Sequence, residues 1–229
     1  MNIVLTSLLE GARSATGTVV IIDVYRAFTT AAVAFQQGAE KIILVGEIED
    51  ALKLKSQGVG EICVGEVGGK KPEEFDHGNS PYELSNTDLK GKTLIQSTRA
   101  GTVGVEAATQ AEHIYGGSLA VAQATAQVIL RERPETVTLV AMGWEGRDRT
   151  DEDEHCGLYM RNLLQGLQPD REAVRSLVLG CKESQKFDNP EKPHFHPGDR
   201  DRALDIDSVP FAIQITREEG LLVARPEAP

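Results

Sequence analysis

The chain has 229 residues, of which 40% are hydrophobic, enough to build a sizeable core. Its 35 acidic and 24 basic residues leave a formal charge of −11, which repels nucleic acid and anionic membranes in bulk, because both require a positive surface. No apolar run approaches the ~20 residues of a membrane span, and Met1 to Thr6 has neither the basic start nor the long apolar core of a secretory signal. Cys63, Cys156 and Cys181 are odd in number and far apart, with no CxxC pair. They argue against a disulfide framework or structural zinc and point to a reducing cytoplasm.

The first strong element is Thr18 to Val24, an apolar run of buried-strand length. Arg26 to Gln37 reads as an Ala-rich helix, Lys41 to Gly46 as a strand, and Glu47 to Gln57 as a charged amphipathic helix closed by Gly58. Glu61 to Glu66 is a short strand, followed by a Gly, Lys and Pro-rich loop to about Asn79. Ser80-Pro81-Tyr82-Glu83 is a helix start: a Ser cap, Pro at the first position and Glu three residues after the cap. Thr93 to Ser97 and Thr136 to Met142 are strands, separated by a helix that Ser118 caps and that runs to about Arg133. Thr150 caps a helix with an acidic start, Asp170 caps the next, and Phe211 to Ala224 reads as two strands joined near Glu219-Gly220. Strands alternating with helices predict one α/β domain over residues 1–229, with three layers and a mixed, mostly parallel sheet.

An internal echo runs through this pattern. Asp23-Val24-Tyr25-Arg26-Ala27-Phe28-Thr29 resembles Gln96-Ser97-Thr98-Arg99-Ala100-Gly101-Thr102. Each follows an apolar strand, opens a helix and contains Arg-Ala-x-Thr. Ala39-Glu40-Lys41-Ile42 then matches Ala111-Glu112-His113-Ile114. The pattern fits two related βαβ units, although unrelated βαβ units share much of it.

Four segments can carry chemistry. Asp23 stands at the end of a buried strand, where ligands bind in open α/β sheets. It is either a site acid beside Arg26 and Thr29 or a helix cap paired with Arg26. Ser97-Thr98-Arg99-Ala100-Gly101-Thr102 has the hydroxyls, arginine and glycine of a phosphate cradle, and also those of an ordinary capped turn. Glu152-Asp153-Glu154 clusters carboxylates that repel one another unless a hard cation such as magnesium joins them or solvent bathes them. Asp76-His77-Gly78-Asn79-Ser80-Pro81 is a loop suited to clamping a substrate.

Several known chemistries are excluded. Tyr25 stands where an Asp-x-Asp phosphatase needs its second acid. No cysteine begins a Cys-x5-Arg loop: Gly69, Asn162 and Phe187 occupy the arginine positions. Gly91-Lys92-Thr93 lacks the upstream glycine of a P-loop, and no GxGxxG follows a strand. His194-Phe195-His196 has no third ligand nearby in sequence and reads as a loop.

Taken together, four ordered motifs resemble the 2-phosphosulfolactate phosphatase (ComB-type) family over most of the chain. They are Val20 to Thr30, Gly65-Glu66 with Phe75 to Pro81, Ser97 to Thr102, and Glu152 to Cys156. The resemblance implies a three-layer α/β fold, magnesium dependence and hydrolysis of 2-phosphosulfolactate to sulfolactate and phosphate, the coenzyme M type of reaction. Where that family commonly has an apolar residue, this chain has Tyr25 and His155. Where the family often has Thr-Asn-Gly-Thr, this chain has Arg99-Ala100-Gly101-Thr102, so the extra arginine is suited to a different acid group.

The expected catalytic residues are Asp23, Arg26 and Arg99. Thr29, Asn79, Ser80, Ser97, Thr98, Gly101 and Thr102 are expected to bind substrate. Asp23, Glu66, Glu152 and Asp153 are expected to hold Mg2+. Asp23 is either the nucleophile or a metal ligand. The partner is a small acidic phosphate ester, and the Ala-rich helices suit a homo-oligomer as well as a packed core. The alternatives are a phosphatase for another phospho-acid and a non-catalytic phosphate-ester-binding protein.

Overall fold

The structure is a computed structural model that describes residues 1–229. The N-terminal part runs β1 (Asn2–Ser7), α1 (Leu8–Ser14), β2 (Gly17–Ile22), α2 (Ala27–Gln36), β3 (Lys41–Val45), α3 (Ile48–Ser56), β4 (Ile62–Gly65) and β5 (His77–Gly78). Next come α4 (Pro81–Leu84), β6 (Thr93–Ser97), α5 (Gly101–Ala107), β7 (Ala111–Gly117), α6 (Ala122–Glu132) and β8 (Thr136–Ala141). The chain ends with α7 (Asp151–Leu164), α8 (Arg171–Gly180), α9 (Pro197–Ala203), β9 (Ala212–Glu218) and β10 (Leu221–Glu227). No helix is long and apolar enough to cross a membrane.

All ten strands form one sheet in the order β1-β8-β2-β7-β9-β10-β3-β6-β4-β5. Six of its nine pairings are parallel, so the sheet is mixed and mostly parallel, as expected. The antiparallel β9–β10 hairpin joins two parallel halves. The echoing segments interlock across that join. β2 lies beside β7 and α2 carries the chain over to β3, which pairs with β6. The other segment starts at β6, and α5 returns the chain to β7.

Four strands separate β2 from β6, which in a flat sheet is about 24 Å. Yet Asp23, just past β2, lies 2.9 Å from the backbone nitrogen of Gly101, just past β6. The sheet therefore curls on itself, as accumulated strand twist allows.

Alternation along the strands shows what the curl encloses. Val19 and Ile21 of β2 pack in the same cluster as Ile42 and Leu44 of β3 and the buried faces of α1, α2 and α5. Val20 and Ile22 face the opposite way, toward α6 and α7. Ile43 and Val45 face outward toward α3. Helices thus cover both faces, the three-layer arrangement. Enclosure between the halves explains the composition of α2: nine of its ten residues are buried, so it is apolar on all sides and rich in alanine.

Ser80 and Asp170 cap α4 and α8 as expected, each accepting helix N–H groups. Thr150 precedes α7, but its hydroxyl makes no capping bond. After Ser118 a short 3-10 turn, Leu119–Val121, intervenes before α6.

Candidate active site

The curl brings two helix starts to one carboxylate. Asp23 Oδ1 accepts the N–H of Ala27, the first residue of α2, at 3.0 Å. Its Oδ2 accepts the N–H of Gly101, the first residue of α5, at 2.9 Å. Gln96, the counterpart of Asp23 in the echo, completes the crossing by donating to the Ala27 carbonyl at 3.0 Å. Asp23 is 5% exposed. Burial pushes its carboxyl up to about 6 against the two N–H bonds, and the Glu66 charge pushes in the same direction.

A small cleft of about 30 Å3 opens beside Asp23, lined also by Arg26, Glu66, Asn79 and Arg99, with Tyr25, Trp144 and Phe195 among its walls. Both echo arginines therefore reach one pocket. They differ in how firmly they are held. Arg26 is buried; its Nη1 donates to Asp199 at 2.7 Å and to the His194 carbonyl at 2.8 Å, and its Nη2 donates to the Gly69 carbonyl at 3.0 Å. Arg99 is partly exposed and reaches only Glu47, at 3.2 Å. Glu66 accepts the N–H groups of Gly69 and Arg99, at 2.7 and 2.9 Å, and so braces the second turn.

No three His, Cys, Asp or Glu side chains converge as a ligand set. The cleft does gather oxygen donors suited to a hard cation: the carboxylates of Asp23 and Glu66, and Asn79, whose Oδ1 is buried without a partner. Magnesium commonly takes one or two carboxylates and completes its shell with waters and substrate phosphate. This donor set fits that habit.

The other residues singled out from sequence lie behind or beside the cleft. Asp153 does not line the cleft; it accepts the backbone N–H groups of Val24 and Gly143, each at 2.8 Å, and so ties the ends of β2 and β8 together. Glu152 is buried outside the cleft with Oε2 unpartnered, and burial raises its carboxyl to about 7. Thr29 bonds back to the Val24 carbonyl, and Thr98 and Thr102 bond to each other within their turn. Ser97 is buried, and its carbonyl receives the Glu66 N–H. Ser80 caps α4 and donates to Asp199 at 2.6 Å.

Sequence reading missed Asp199, Lys186 and the aromatic wall. The Lys186 ammonium lies 4.8–5.7 Å from the ring centres of Phe195, Trp144, Phe187 and Tyr25. Those four rings are a large share of the eleven aromatics in the chain, so what little aromatic surface exists is concentrated at this wall.

Gly101 is a point of close contact between the two helix starts. A Cβ there would lie 2.7 Å from the Ala27 Cβ and 3.0 Å from Asp23 Oδ2. Gly101→Ala is expected to push α5 off Asp23, reducing turnover far more than thermal stability. Steady-state assays beside a melting curve test this, and unchanged turnover would show that the contact tolerates displacement.

An acid held between two helix starts at the strand ends, with two arginines lining the same cleft, marks the candidate site of this α/β protein. A model of the 2-phosphosulpholactate phosphatase family matches residues 4–190, and the chain belongs to that family. It is 38% identical over 164 residues to a probable 2-phosphosulfolactate phosphatase of Thermus thermophilus, covering 70% of this chain and 68% of the relative. A protein of the same description from a Cyanothece species is 34% identical, over 63% of this chain and 60% of the relative. One from Carboxydothermus hydrogenoformans is 42% identical, over 53% of this chain and 50% of the relative. The matched segments thus span between half and about two thirds of these relatives.

Proposed function

We propose that this protein is a magnesium-dependent phosphatase that converts 2-phosphosulfolactate to sulfolactate and phosphate. Family membership supports the reaction class. The observation that carries the reading is the meeting of Asp23, Arg26 and Arg99 at one cleft, since the substrate brings a phosphate, a sulfonate and a carboxylate to be matched.

Asp23, Glu66 and Asn79 Oδ1 would hold the magnesium ion. Bound there, magnesium supplies Lewis acidity toward phosphoryl oxygens and a polarised water. The two N–H bonds to Asp23 keep its carboxylate from swinging out of the cleft. Arg26 has five N–H groups and commits three to protein acceptors, leaving two for equatorial phosphoryl oxygens. Water adds to phosphorus, the bond to the ester oxygen breaks, and that oxygen takes a proton to give the hydroxyl of sulfolactate. Arg99, less constrained, faces the second acid group. The aromatic wall limits access of bulk water. The three free, buried cysteines suit action in a reducing cytoplasm.

Phosphate release from 2-phosphosulfolactate is expected to stop with chelator and to return when magnesium is restored. Release assays over a panel of small phospho-acids, with and without metal, decide both reaction and substrate. Full activity in metal-free buffer would remove magnesium from the reading, and no release from any phospho-acid would leave a binding protein.

A further inference from the structure

Asp199 lies outside the residues matched to the family and is completely buried. It sits in α9, a short helix whose start is fixed by Pro197 and by His196, which accepts the Gly198 N–H. Its Oδ2 pairs with Arg26 at 2.7 Å, and its Oδ1 accepts from Ser80 Oγ at 2.6 Å and from the Tyr82 N–H at 3.1 Å. Two neighbours in sequence join the same latch. The His194 carbonyl takes the second Arg26 Nη1 bond, and Phe195 lies under the guanidinium, 4.8 Å from its carbon. The segment 194–199 therefore grips one side of Arg26, while Gly69 holds the remaining committed N–H.

We infer that Asp199 is the positioning residue for phosphoryl recognition: it orients Arg26 so that the two uncommitted N–H groups face the cleft. The C-terminal segment thus completes the site. A guanidinium on a flexible stem meets a tetrahedral anion well only when its fork is aimed, and a buried carboxylate that is itself held by two further donors sets that aim. The same carboxylate ties the α4 loop, which carries Asn79, to the β2 turn, which carries Asp23. This inference rests on the proposed reading of the cleft as a phosphate-ester site.

Calorimetric binding of two probes, inorganic phosphate and sulfolactate, tests it. Sulfolactate carries the two other acid groups and no phosphoryl group. Asp199→Asn is expected to weaken phosphate binding by about 10–100-fold, the scale seen when an outer partner of an oriented ligand is lost, and to leave sulfolactate binding within about twofold. Once Arg26→Lys is present, Asp199→Asn should add nothing more to the phosphate loss. If Asp199→Asn does not fold by thermal melt, Ser80→Ala, which removes one of the donors bracing Asp199, should give a smaller loss with the same selectivity. Equal loss for both probes, additive losses in the double variant, or no loss would overturn the assignment, as would failure of the wild-type protein to bind phosphate. A wild type that binds phosphate but releases none from any phospho-acid would instead refute the proposed reaction while leaving the Asp199 comparison decisive.

Discussion

Asp23→Asn is expected to cut phosphate release by about 10²–10⁴-fold while the protein remains folded, the several kcal/mol of phosphoryl charge stabilisation that goes with a metal-holding carboxylate. The amide is isosteric and still accepts one of the two N–H bonds that Ala27 and Gly101 offer. It cannot offer a second negative oxygen to the cleft. A pH signature should accompany the loss. Burial raises the Asp23 carboxyl from 3.8 to about 6, so the folded state binds this proton more tightly than the unfolded chain. Stability from the group is complete below the unfolded value and declines as pH rises through the folded one. The decline amounts to about 2–3 kcal/mol by pH ~8. Glu152, raised by burial to about 7, adds a slope of the same sign. In metal-free buffer the wild type should therefore lose more stability between pH ~5 and ~8 than Asp23→Asn, which keeps the slopes of Glu152 and of Asp153, whose carboxyl burial also raises. Urea unfolding at the two pH values measures this. Identical slopes would place the Asp23 proton elsewhere, and undiminished turnover would return Asp23 to a capping role.

Local pattern made much of this site legible. Apolar runs ending in Asp23 and Ser97 announced strand ends, and Arg-Ala-x-Thr announced paired turns. What the pattern did not contain was the curl. No periodicity in β2 or β6 records that a hairpin from the far C-terminus joins their two halves, yet only that join brings Gly101 to Asp23. The same limit explains Asp199. Gly198-Asp199-Arg200 reads locally as a polar turn, and its importance comes from a contact 173 positions away. The acidic start of α7 shows the converse. Glu152 and Asp153 looked like a cation site because their charges are clustered in sequence. In the folded chain Asp153 turns inward to satisfy backbone N–H groups, and Glu152 is buried outside the cleft. Helical geometry separates neighbours in sequence, so a run of acids shares a helix end without sharing a ligand.

Substrate selection should divide between the two arginines. Arg99 is partly exposed, with a single exposed acid as its ion-pair partner, so it can turn to an incoming sulfonate or carboxylate at little cost. Arg26 is locked, and its free N–H groups have one direction to face. Arg99→Ala should therefore lower kcat/KM for 2-phosphosulfolactate by about 2–5 kcal/mol, the range for losing one side of a desolvated charged contact. The same change should scarcely affect a simple alkyl phosphate with no second acid. At position 26, alanine would strand the buried Asp199 carboxylate, a loss that destabilises the fold by about 3–5 kcal/mol and would obscure any kinetic effect. Lysine keeps the charge and removes the fork, so Arg26→Lys is the informative variant. It should impair both substrates alike, because both present the phosphoryl group. The measurement is kcat/KM for the two substrates in the two variants, with melting curves as controls. Equal losses in all four combinations would reject a division of labour. A loss confined to the di-acid substrate in Arg26→Lys, with both substrates impaired in Arg99→Ala, would exchange the two assignments and set Arg99 against the phosphoryl group.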